Sequence, residues 1–327
     1  MRVIKGMNPK VSVIIPIYNV ERYIERCVVS LMSQTLEEIE FIFVNDSTPD
    51  NSMSILKNVI AKYPERLGNI IILEHEDNQG LASARNTGLR CATGDFVIHC
   101  DSDDWVEVDM YEKMYNLALS DDADIVVCDV IHDYEDHESI EKLNPKMPAR
   151  DVINKLNIRY GWYLCNKLVK RSLIIENEIF PLIGMNMWED LAVTNRMFYY
   201  AETVSYIDIP LYHYNRHNET SIVTSTAMLG KRRQQYQVIE FLNSFFKQNK
   251  FDFSEGYLAY RIALKDKFLE LTPSDYKSWR EFYPEIADYV LKDKQYSFLY
   301  RLFYYIAQKG FILPFVIIRK ISDFFHA

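Results

Sequence analysis

Short apolar runs alternate with longer segments of helical periodicity from the N-terminal region to Cys128. Five runs rich in β-branched residues are bounded by polar or turn-forming residues, at positions 11–16, 39–44, 69–74, 95–100 and 124–128. Continuous apolar runs of this length are typical of strands buried on both faces of a sheet. The pattern therefore predicts five buried strands.

The segments between these runs favour helices, at 21–34, 51–63, 80–92 and 109–120. In the first segment, Ile24, Cys27, Val28 and Leu31 recur at the spacing of one helical face. Strands that alternate with helices predict α/β architecture, with a mostly parallel sheet flanked by helices on both faces.

The pattern changes after the fifth run. Polar residues 132–150 predict an exposed loop or short hairpin, and residues 204–209 and 211–214 predict short strands around Pro210. Helical spacing is sustained again beyond residue 224. We therefore expect an α/β domain over residues 1–223 and a helical C-terminal subdomain over residues 224–327.

Composition narrows the class of protein. The chain has 327 residues and a net charge of −9, which argues against a general nucleic-acid binder because such proteins present basic surfaces. Its five cysteines form no Cys-x-x-Cys pair, so they are interpreted as reduced core residues of a cytoplasmic protein. We expect neither a signal peptide nor an apolar stretch of about 18 residues that would span a membrane.

Asp101, Asp103 and Asp104 follow the run at 95–100, in a predicted loop at the end of a strand. Ligands of open α/β sheets bind at the carboxyl ends of strands. Carboxylates this close repel one another, and a divalent cation with a preference for oxygen ligands removes that penalty. A solvated acidic turn is the simpler alternative, since Asp-x-Asp alone is a common pattern.

Several enzyme classes lack their expected motifs. No Gly-x-Gly-x-x-Gly follows the first strand and no Gly-x-x-x-x-Gly-Lys-Ser/Thr occurs, which argues against a dinucleotide dehydrogenase and a P-loop NTPase. A phosphatase of the haloacid dehalogenase type would carry its Asp-x-Asp after the first strand, whereas here four predicted strands come earlier. A non-catalytic binding module of the same α/β fold is an alternative that the pattern leaves open.

Five motifs occur in a recognisable order. They are residues 13–19 (VIIPIYN), 44–46 (VND) with 50–52 (DNS), 80–88 (GLASARNTG), 101–104 (DSDD) and 189–190 (ED). Together they resemble the inverting family 2 glycosyltransferases of GT-A fold, notably bacterial enzymes that glycosylate capsule, O-antigen or teichoic acid. The resemblance extends over residues 9–218.

This resemblance implies a nucleotide-diphospho-sugar donor, usually UDP-linked, a Mn²⁺ or Mg²⁺ ion, and a glycan or lipid-linked acceptor. The residues that it assigns to the nucleotide pocket are Pro16, Tyr18, Asn19, Asp46, Arg85, Asp101 and Ser102. It assigns Asp103 and His213 to the metal and Asp190 to the general base, with Glu189 as a supporting or acceptor-binding carboxylate.

The same resemblance gives expectations for two further segments. Asn166–Lys167 precedes the base, and either a contact with donor or acceptor or a surface lysine accounts for it. Relatives commonly have glycine where Ser47 stands, so the turn after Asp46 is expected to differ because glycine's freedom at positive φ is absent.

The C-terminal tail, residues 297–327, combines many aromatic and basic side chains. One interpretation is a helical layer that packs on the catalytic domain or at a homodimer interface. The other is peripheral contact with an anionic membrane, which would suit a lipid-linked acceptor on the inner face of the plasma membrane.

Overall fold

A computed structural model describes residues 9–143, 148–154, 163–218, 228–267, 275–294 and 297–311. The strands are β1 (Val11–Ile17), β2 (Ile39–Asn45), β3 (Ile70–Glu74), β4 (Phe96–His99), β5 (Trp105–Val106), β6 (Ile125–Asp133), β7 (Glu138–Glu141), β8 (Lys167–Lys170) and β9 (Val204–Asn215). The helices are α1 (Ile24–Met32), α2 (Ser52–Ile60), α3 (Leu81–Cys91), α4 (Met110–Ser120), α5 (Ala149–Asn154), α6 (Arg171–Glu176), α7 (Glu189–Tyr200), α8 (Met228–Gln248), α9 (Ser254–Lys267), α10 (Asp275–Glu281), α11 (Ile286–Lys292) and α12 (Phe298–Gln308). A short 3₁₀ turn at Pro64–Asn69 precedes β3.

One sheet joins these strands in the order β3-β2-β1-β4-β8-β6-β9-β5, with β7 paired to β6. β1 pairs in parallel with β2 and β4, and β2 pairs in parallel with β3, as the strand–helix alternation predicts. Every residue of β1 is buried. The predicted α/β fold and the helical C-terminal region are thus confirmed.

The rest of the sheet is less parallel than the sequence predicts. β8 runs antiparallel to both β4 and β6, and β7 runs antiparallel to β6. The turn between β6 and β7 is only a few residues long, and antiparallel strands alone can be joined so tightly. The predicted hairpin within residues 132–150 therefore begins with β6, which continues past its apolar run to Asp133.

The two short strands expected around Pro210 are one continuous strand, β9. The parallel pairing with β6 shifts register where Asp129 faces Pro210. A proline lacks the N–H that the ladder needs, and strands accommodate it at such irregularities. The strand continues beyond it and carries Tyr212, His213 and Asn215.

The chain divides into two compact units, Met1–Leu242 and Asn243–Ala327, and the division falls inside α8 rather than at residue 223. The first part of α8 belongs to the larger unit because its side chains contact that unit. Gln234 accepts a hydrogen bond from the Asn186 amide at 3.0 Å, and Phe241 lies 5.2 Å from the Arg196 guanidinium.

The smaller unit is helical and is built around the fully buried Lys265. Its ammonium group donates to the carbonyl oxygens of Trp279, Phe282 and Tyr283 at 2.8, 2.7 and 3.2 Å and to the Gln308 side chain at 2.9 Å. A buried ammonium group is tolerated only when its donors are satisfied, so this lysine ties together the segments of the unit. None of the helices within the described ranges combines the length and apolar character needed to cross a bilayer. Residues 312–327 of the predicted tail lie outside those ranges.

Candidate active site

Polar residues follow the carboxyl ends of three adjacent strands. Tyr18 and Asn19 follow β1, Asp46 follows β2, and Asp101 lies shortly after β4. Because β1 lies between β2 and β4 in a parallel arrangement, these ends share one edge of the sheet. Tyr18 is 47% exposed there, whereas Pro16 is buried within β1. The structure thus gathers the residues that the sequence assigns to the nucleotide pocket from these strands.

Asp46 is almost fully buried and accepts three hydrogen bonds. One carboxylate oxygen lies 2.7 Å from His75 Nδ1 and 2.9 Å from the Gln79 amide, and the other lies 2.8 Å from the Gly80 amide. Gly80 immediately precedes α3, where a negative charge is favoured by the helix dipole. Asp46 therefore fixes the start of α3 against the end of β2.

The turn after Asp46 keeps a left-handed residue although it lacks glycine. Ser47 has φ +56°, a conformation that side chains rarely adopt. Thr48 helps to hold the turn, since its amide donates to Asn45 Oδ1 at 2.9 Å and its hydroxyl accepts from the Asn19 amide at 2.8 Å. The serine therefore takes up positive φ here, despite the absence of glycine's freedom.

The three carboxylates of the acidic loop differ in burial. Asp104 is buried and accepts from the Tyr212 hydroxyl at 2.5 Å and the Asn215 amide at 2.8 Å. Asp101 and Asp103 are half-buried, and Ser102 between them is buried. Asp104 therefore attaches the loop to β9, whereas Asp101 and Asp103 have other partners.

Tyr212→Phe is expected to lower the free energy of unfolding by about 1–3 kcal/mol. The change removes the hydroxyl that donates to the buried Asp104 and accepts from the Asp101 amide at 3.2 Å. Denaturant unfolding followed by fluorescence measures the effect. Tyr63→Phe is the matched control, because no side-chain hydrogen bond to Tyr63 occurs within the described ranges. Equal stabilities of the two variants would contradict the anchoring role.

The surroundings of Asp103 suit a cation. Burial raises the pKa of Asp103, and the nearby charge of Asp101 raises it further. Asn218 donates to one Asp103 oxygen at 2.7 Å and partly opposes the shift. In the described part of the chain, no group of three His, Cys, Asp or Glu side chains is placed to hold a metal ion by itself. Mg²⁺ sites in nucleotide enzymes commonly use one or two carboxylates together with phosphate oxygens, and this arrangement fits that pattern.

Arg85 joins the acidic loop to the start of α7. Its guanidinium donates to Asp101 Oδ1 at 2.7 Å and to Glu189 Oε1, and only 4% of Arg85 is exposed. Burial alone would lower the pKa of Arg85, but Asp101 and Glu189 outweigh burial and raise it. The cation therefore stays charged and holds two carboxylates from distant parts of the sequence.

Glu189 and Asp190 occupy the first turn of α7. The preceding Trp188 has φ +62°, which is a strained conformation for so large a residue. Burial raises the pKa of Asp190 to about 8, and the Glu189 charge adds to the shift while Arg85 opposes it. A carboxyl group with a pKa near neutrality is suited to exchange a proton during catalysis.

Lys167 is buried in the same unit and is not a surface lysine. Its ammonium donates to the Tyr163 carbonyl at 2.6 Å and to Asn166 Oδ1 at 2.9 Å. Burial lowers the pKa of Lys167 to about 8, against the opposing charges of Cys165, Cys128 and Asp190. A role as a solvated side chain is therefore wrong, and a contact with donor or acceptor stays a prediction.

His213 has its own partners on β9. Its Nε2 lies 2.8 Å from Glu107 Oε1, and its ring stacks on Trp105 at 4.9 Å. No hydrogen bond joins it to Asp101 or Asp103 within the described ranges. Its assignment to the metal stays a prediction.

The sequence did not single out the residues that hold the acidic loop. Tyr212, Asn215 and Asn218 reach Asp104 and Asp103 from β9 and from the segment after it. Only their position after a predicted strand could have suggested this, because pairing over more than a hundred positions leaves no periodic signal. His75, which lies between Asp46 and Thr87, was also not singled out.

The chain is similar to known proteins in family, sequence and fold. Residues 12–175 match the family model described as glycosyl transferase family 2. EpsH of Bacillus subtilis, which carries the name of a glycosyltransferase, is 36% identical over 64% of this chain and 61% of its own length. EpsJ of the same organism, named an uncharacterized glycosyltransferase, is 34% identical over 73% of this chain and 71% of its own length. The aligned region thus spans less than two thirds of EpsH.

The fold is similar to that of a solved structure. S. aureus TarS 1–349, crystallised in complex with UDP-GlcNAc, superposes with a TM-score of 0.72 at 19% identity, over 96% of this chain and 91% of that one. At this identity the similarity establishes the fold alone, and it agrees with the α/β architecture described above.

Proposed function

Since the chain belongs to glycosyl transferase family 2, we propose that it moves a sugar from a nucleotide-diphospho-sugar to a hydroxyl group, with inversion at the anomeric carbon. The donor is UDP-linked, and the acceptor is a bacterial cell-surface glycan or a lipid-linked saccharide. The UDP-GlcNAc bound to S. aureus TarS supports this donor class. The observation that carries the proposal is the contact of Arg85 with both Asp101 and Glu189.

Through this contact, Arg85 joins the residues proposed to bind the donor to those proposed to act on the acceptor. Asp101 and Asp103 follow β4 at the strand edge where Tyr18, Asn19 and Asp46 lie. In this proposal those three residues line the nucleotide pocket, and the two aspartates are next to the diphosphate. Glu189 is next to Asp190, which faces the acceptor. A single buried guanidinium thus sets the spacing between donor and base, and such positioning contributes strongly to rate.

The chemistry needs one base. The acceptor oxygen forms a bond to the anomeric carbon as the bond from that carbon to the diphosphate oxygen breaks. The proton of the acceptor hydroxyl passes to Asp190, and the nucleoside diphosphate leaves with the bonding electron pair. Attack from the face opposite the leaving group inverts the anomeric centre.

Asp103, with Asp101 nearby, would hold Mn²⁺ or Mg²⁺. When bound, the cation supplies charge neutralisation for the departing diphosphate. The raised pKa of Asp103 supports this role, because a cation relieves the repulsion between the two carboxylates. We propose His213 as an additional ligand of the metal, and this role requires its ring to move away from Glu107.

A thermal-unfolding screen with nucleotide sugars tests the proposal. We expect one UDP-sugar with Mn²⁺ to raise the unfolding temperature, because a ligand at about 100 times its Kd stabilises by about 2.7 kcal/mol. Asp103→Asn should lose this protection. Asp122→Asn is the matched control, since the Asp122 side chain is 96% exposed on the surface.

Transfer is then measured as release of UDP in the presence of acceptor glycans. Protection without any turnover would favour a nucleotide-sugar-binding module over an enzyme. The proposed function would be overturned if no nucleotide sugar protected either the wild type or Asp103→Asn.

A further inference from the structure

The smaller unit contains a helical hairpin with an exposed apolar end. Helix α11 (Ile286–Lys292) and helix α12 (Phe298–Gln308) are joined by a short segment. Phe298 and Leu299, in the first turn of α12, are 66% and 57% exposed. Tyr289, in the last turn of α11, is 52% exposed. Exposed apolar residues are ordinary when isolated, but adjacent ones at one end of a hairpin indicate a contact surface.

The unit does not need these side chains for its own core. The hairpin packs through Ile286, Ala287 and Val290 of α11 and through Tyr304 and Ala307 of α12, all of which are buried. The exposed Tyr289, Phe298 and Leu299 are not part of this buried set. Their exposure is therefore a property of the surface and not a consequence of incomplete folding of the hairpin.

Basic residues surround the exposed apolar pair. Lys292 and Lys294 are exposed, and the Arg301 guanidinium lies 5.9 Å from the Phe298 ring. Residues 289–311 contain four Lys or Arg and one Asp. Large apolar side chains among lysines are typical of segments that enter the headgroup region of a membrane.

The net charge also differs between the two units of the chain. Residues 243–327 contain 13 Lys or Arg and 10 Asp or Glu, a net charge of +3. Residues 1–242 contain 24 Lys or Arg and 36 Asp or Glu, a net charge of −12. An anionic surface therefore attracts the smaller unit and repels the remainder, and this asymmetry selects which part of the chain makes contact.

We propose that the hairpin tip, defined as Tyr289, Lys292, Lys294, Phe298 and Leu299, binds the surface of an anionic phospholipid bilayer. Phe298 and Leu299 enter the headgroup region, Tyr289 lies at its boundary, and the two lysines contact lipid phosphates. Five residues fall well short of the roughly 20–30 residues that each partner contributes to a stable protein interface. A lipid surface has no such requirement, so it fits this small tip better than a second copy of the chain does.

Vesicle flotation with the full chain tests the proposal. We expect wild type to float with vesicles of phosphatidylcholine and phosphatidylglycerol and to float less with phosphatidylcholine alone. Phe298→Ser/Leu299→Ser should lower the partition coefficient at least about tenfold, because each large apolar side chain contributes about that factor or more. Lys292→Gln/Lys294→Gln should weaken binding to the anionic vesicles only, and added salt should weaken the wild type in the same way.

Leu67→Ser/Ile183→Ser is the matched control, since these apolar residues of the larger unit are 51% and 73% exposed. The control should float as wild type does. All variants should keep their protection by UDP-sugar and Mn²⁺, so failure of lipid binding is distinguishable from failure of the proposed function. Equal flotation of wild type and Phe298→Ser/Leu299→Ser would overturn the proposal. A change of oligomeric mass in that variant without a change in flotation would assign the tip to a dimer instead.

Discussion

Asp190→Asn is expected to lower kcat by about 10²–10⁴-fold, the range that a general base contributes. Asparagine has nearly the same shape as aspartate but cannot take the proton of the acceptor hydroxyl. Protection by UDP-sugar and Mn²⁺ should remain, because Asp190 lies on α7 and the proposed nucleotide pocket lies at the strand ends. Steady-state release of UDP in the presence of acceptor measures kcat.

Asp208→Asn is the control for this substitution, since the Asp208 carboxylate is 64% exposed and pairs with Lys142 on the surface. It should turn over at the wild-type rate. A turnover near wild type for Asp190→Asn would show that another group is the base, with Glu189 the first alternative.

The pH profile gives a second measurement of the same role. The pKa of Asp190 is raised to about 8 by burial and by Glu189, and a base acts only when ionised. For the wild type, kcat/KM should therefore rise with pH, pass its midpoint near pH 8 and level off above it. Since kcat/KM reports the free enzyme, this inflection should be absent from Asp190→Asn.

The raised pKa has the opposite consequence for stability. A folded-state pKa above the ordinary value of 3.8 means that the contribution of Asp190 is fully favourable at low pH. That contribution is lost as the pH rises from about 4 through about 8. Asp190→Asn should therefore raise the free energy of unfolding more at pH 9 than at pH 5. The gain at pH 9 should be at least about 1.4 kcal/mol, the free energy of a tenfold change in an acid dissociation constant.

The strand ends of the candidate site were predictable because local patterns specify them. Apolar runs followed by Asn19, Asp46 and Asp101 identify parallel strands and the edge where ligands bind. The same is true of α7, since Glu189 and Asp190 precede a helical pattern. Such features depend on neighbours in the sequence, and periodicity records them.

Contacts between distant segments left no comparable signal. Nothing in the pattern around Arg85 indicates that its guanidinium lies between Asp101 and Glu189, and nothing around Tyr212 indicates Asp104. The continuous β9 was also hidden, because Pro210 normally ends a strand unless a register shift accommodates it. These arrangements depend on how the sheet curls, which the sequence pattern does not specify.

Arg85→Met is expected to lower the free energy of unfolding by about 3–5 kcal/mol and to reduce transfer strongly. Removing one partner of a buried ionic group leaves the other uncompensated, and here Asp101 and Glu189 lose a shared cation. Arg85→Lys keeps the charge but cannot reach both carboxylates with a planar fork, so its loss should be intermediate. Denaturant unfolding and UDP release measure the two effects.

Arg90→Met is the matched control, because Arg90 is an exposed arginine of the same helix that stacks on Phe180. It should remain near wild type in stability and turnover. If Arg85→Met fails to fold, Arg85→Met/Glu189→Leu removes the cation together with one carboxylate. This double variant should recover part of the stability but none of the activity.

The pH profile separates positioning from simple stabilisation. Arg85 lowers the pKa of Asp190, so its loss should move the kcat/KM midpoint of Arg85→Met to higher pH. Arg85→Lys retains a positive charge near the base, and its midpoint should move less. A guanidinium that served stability alone would leave the midpoint unchanged in both variants. Such an outcome would reject Arg85 as the link between donor and base.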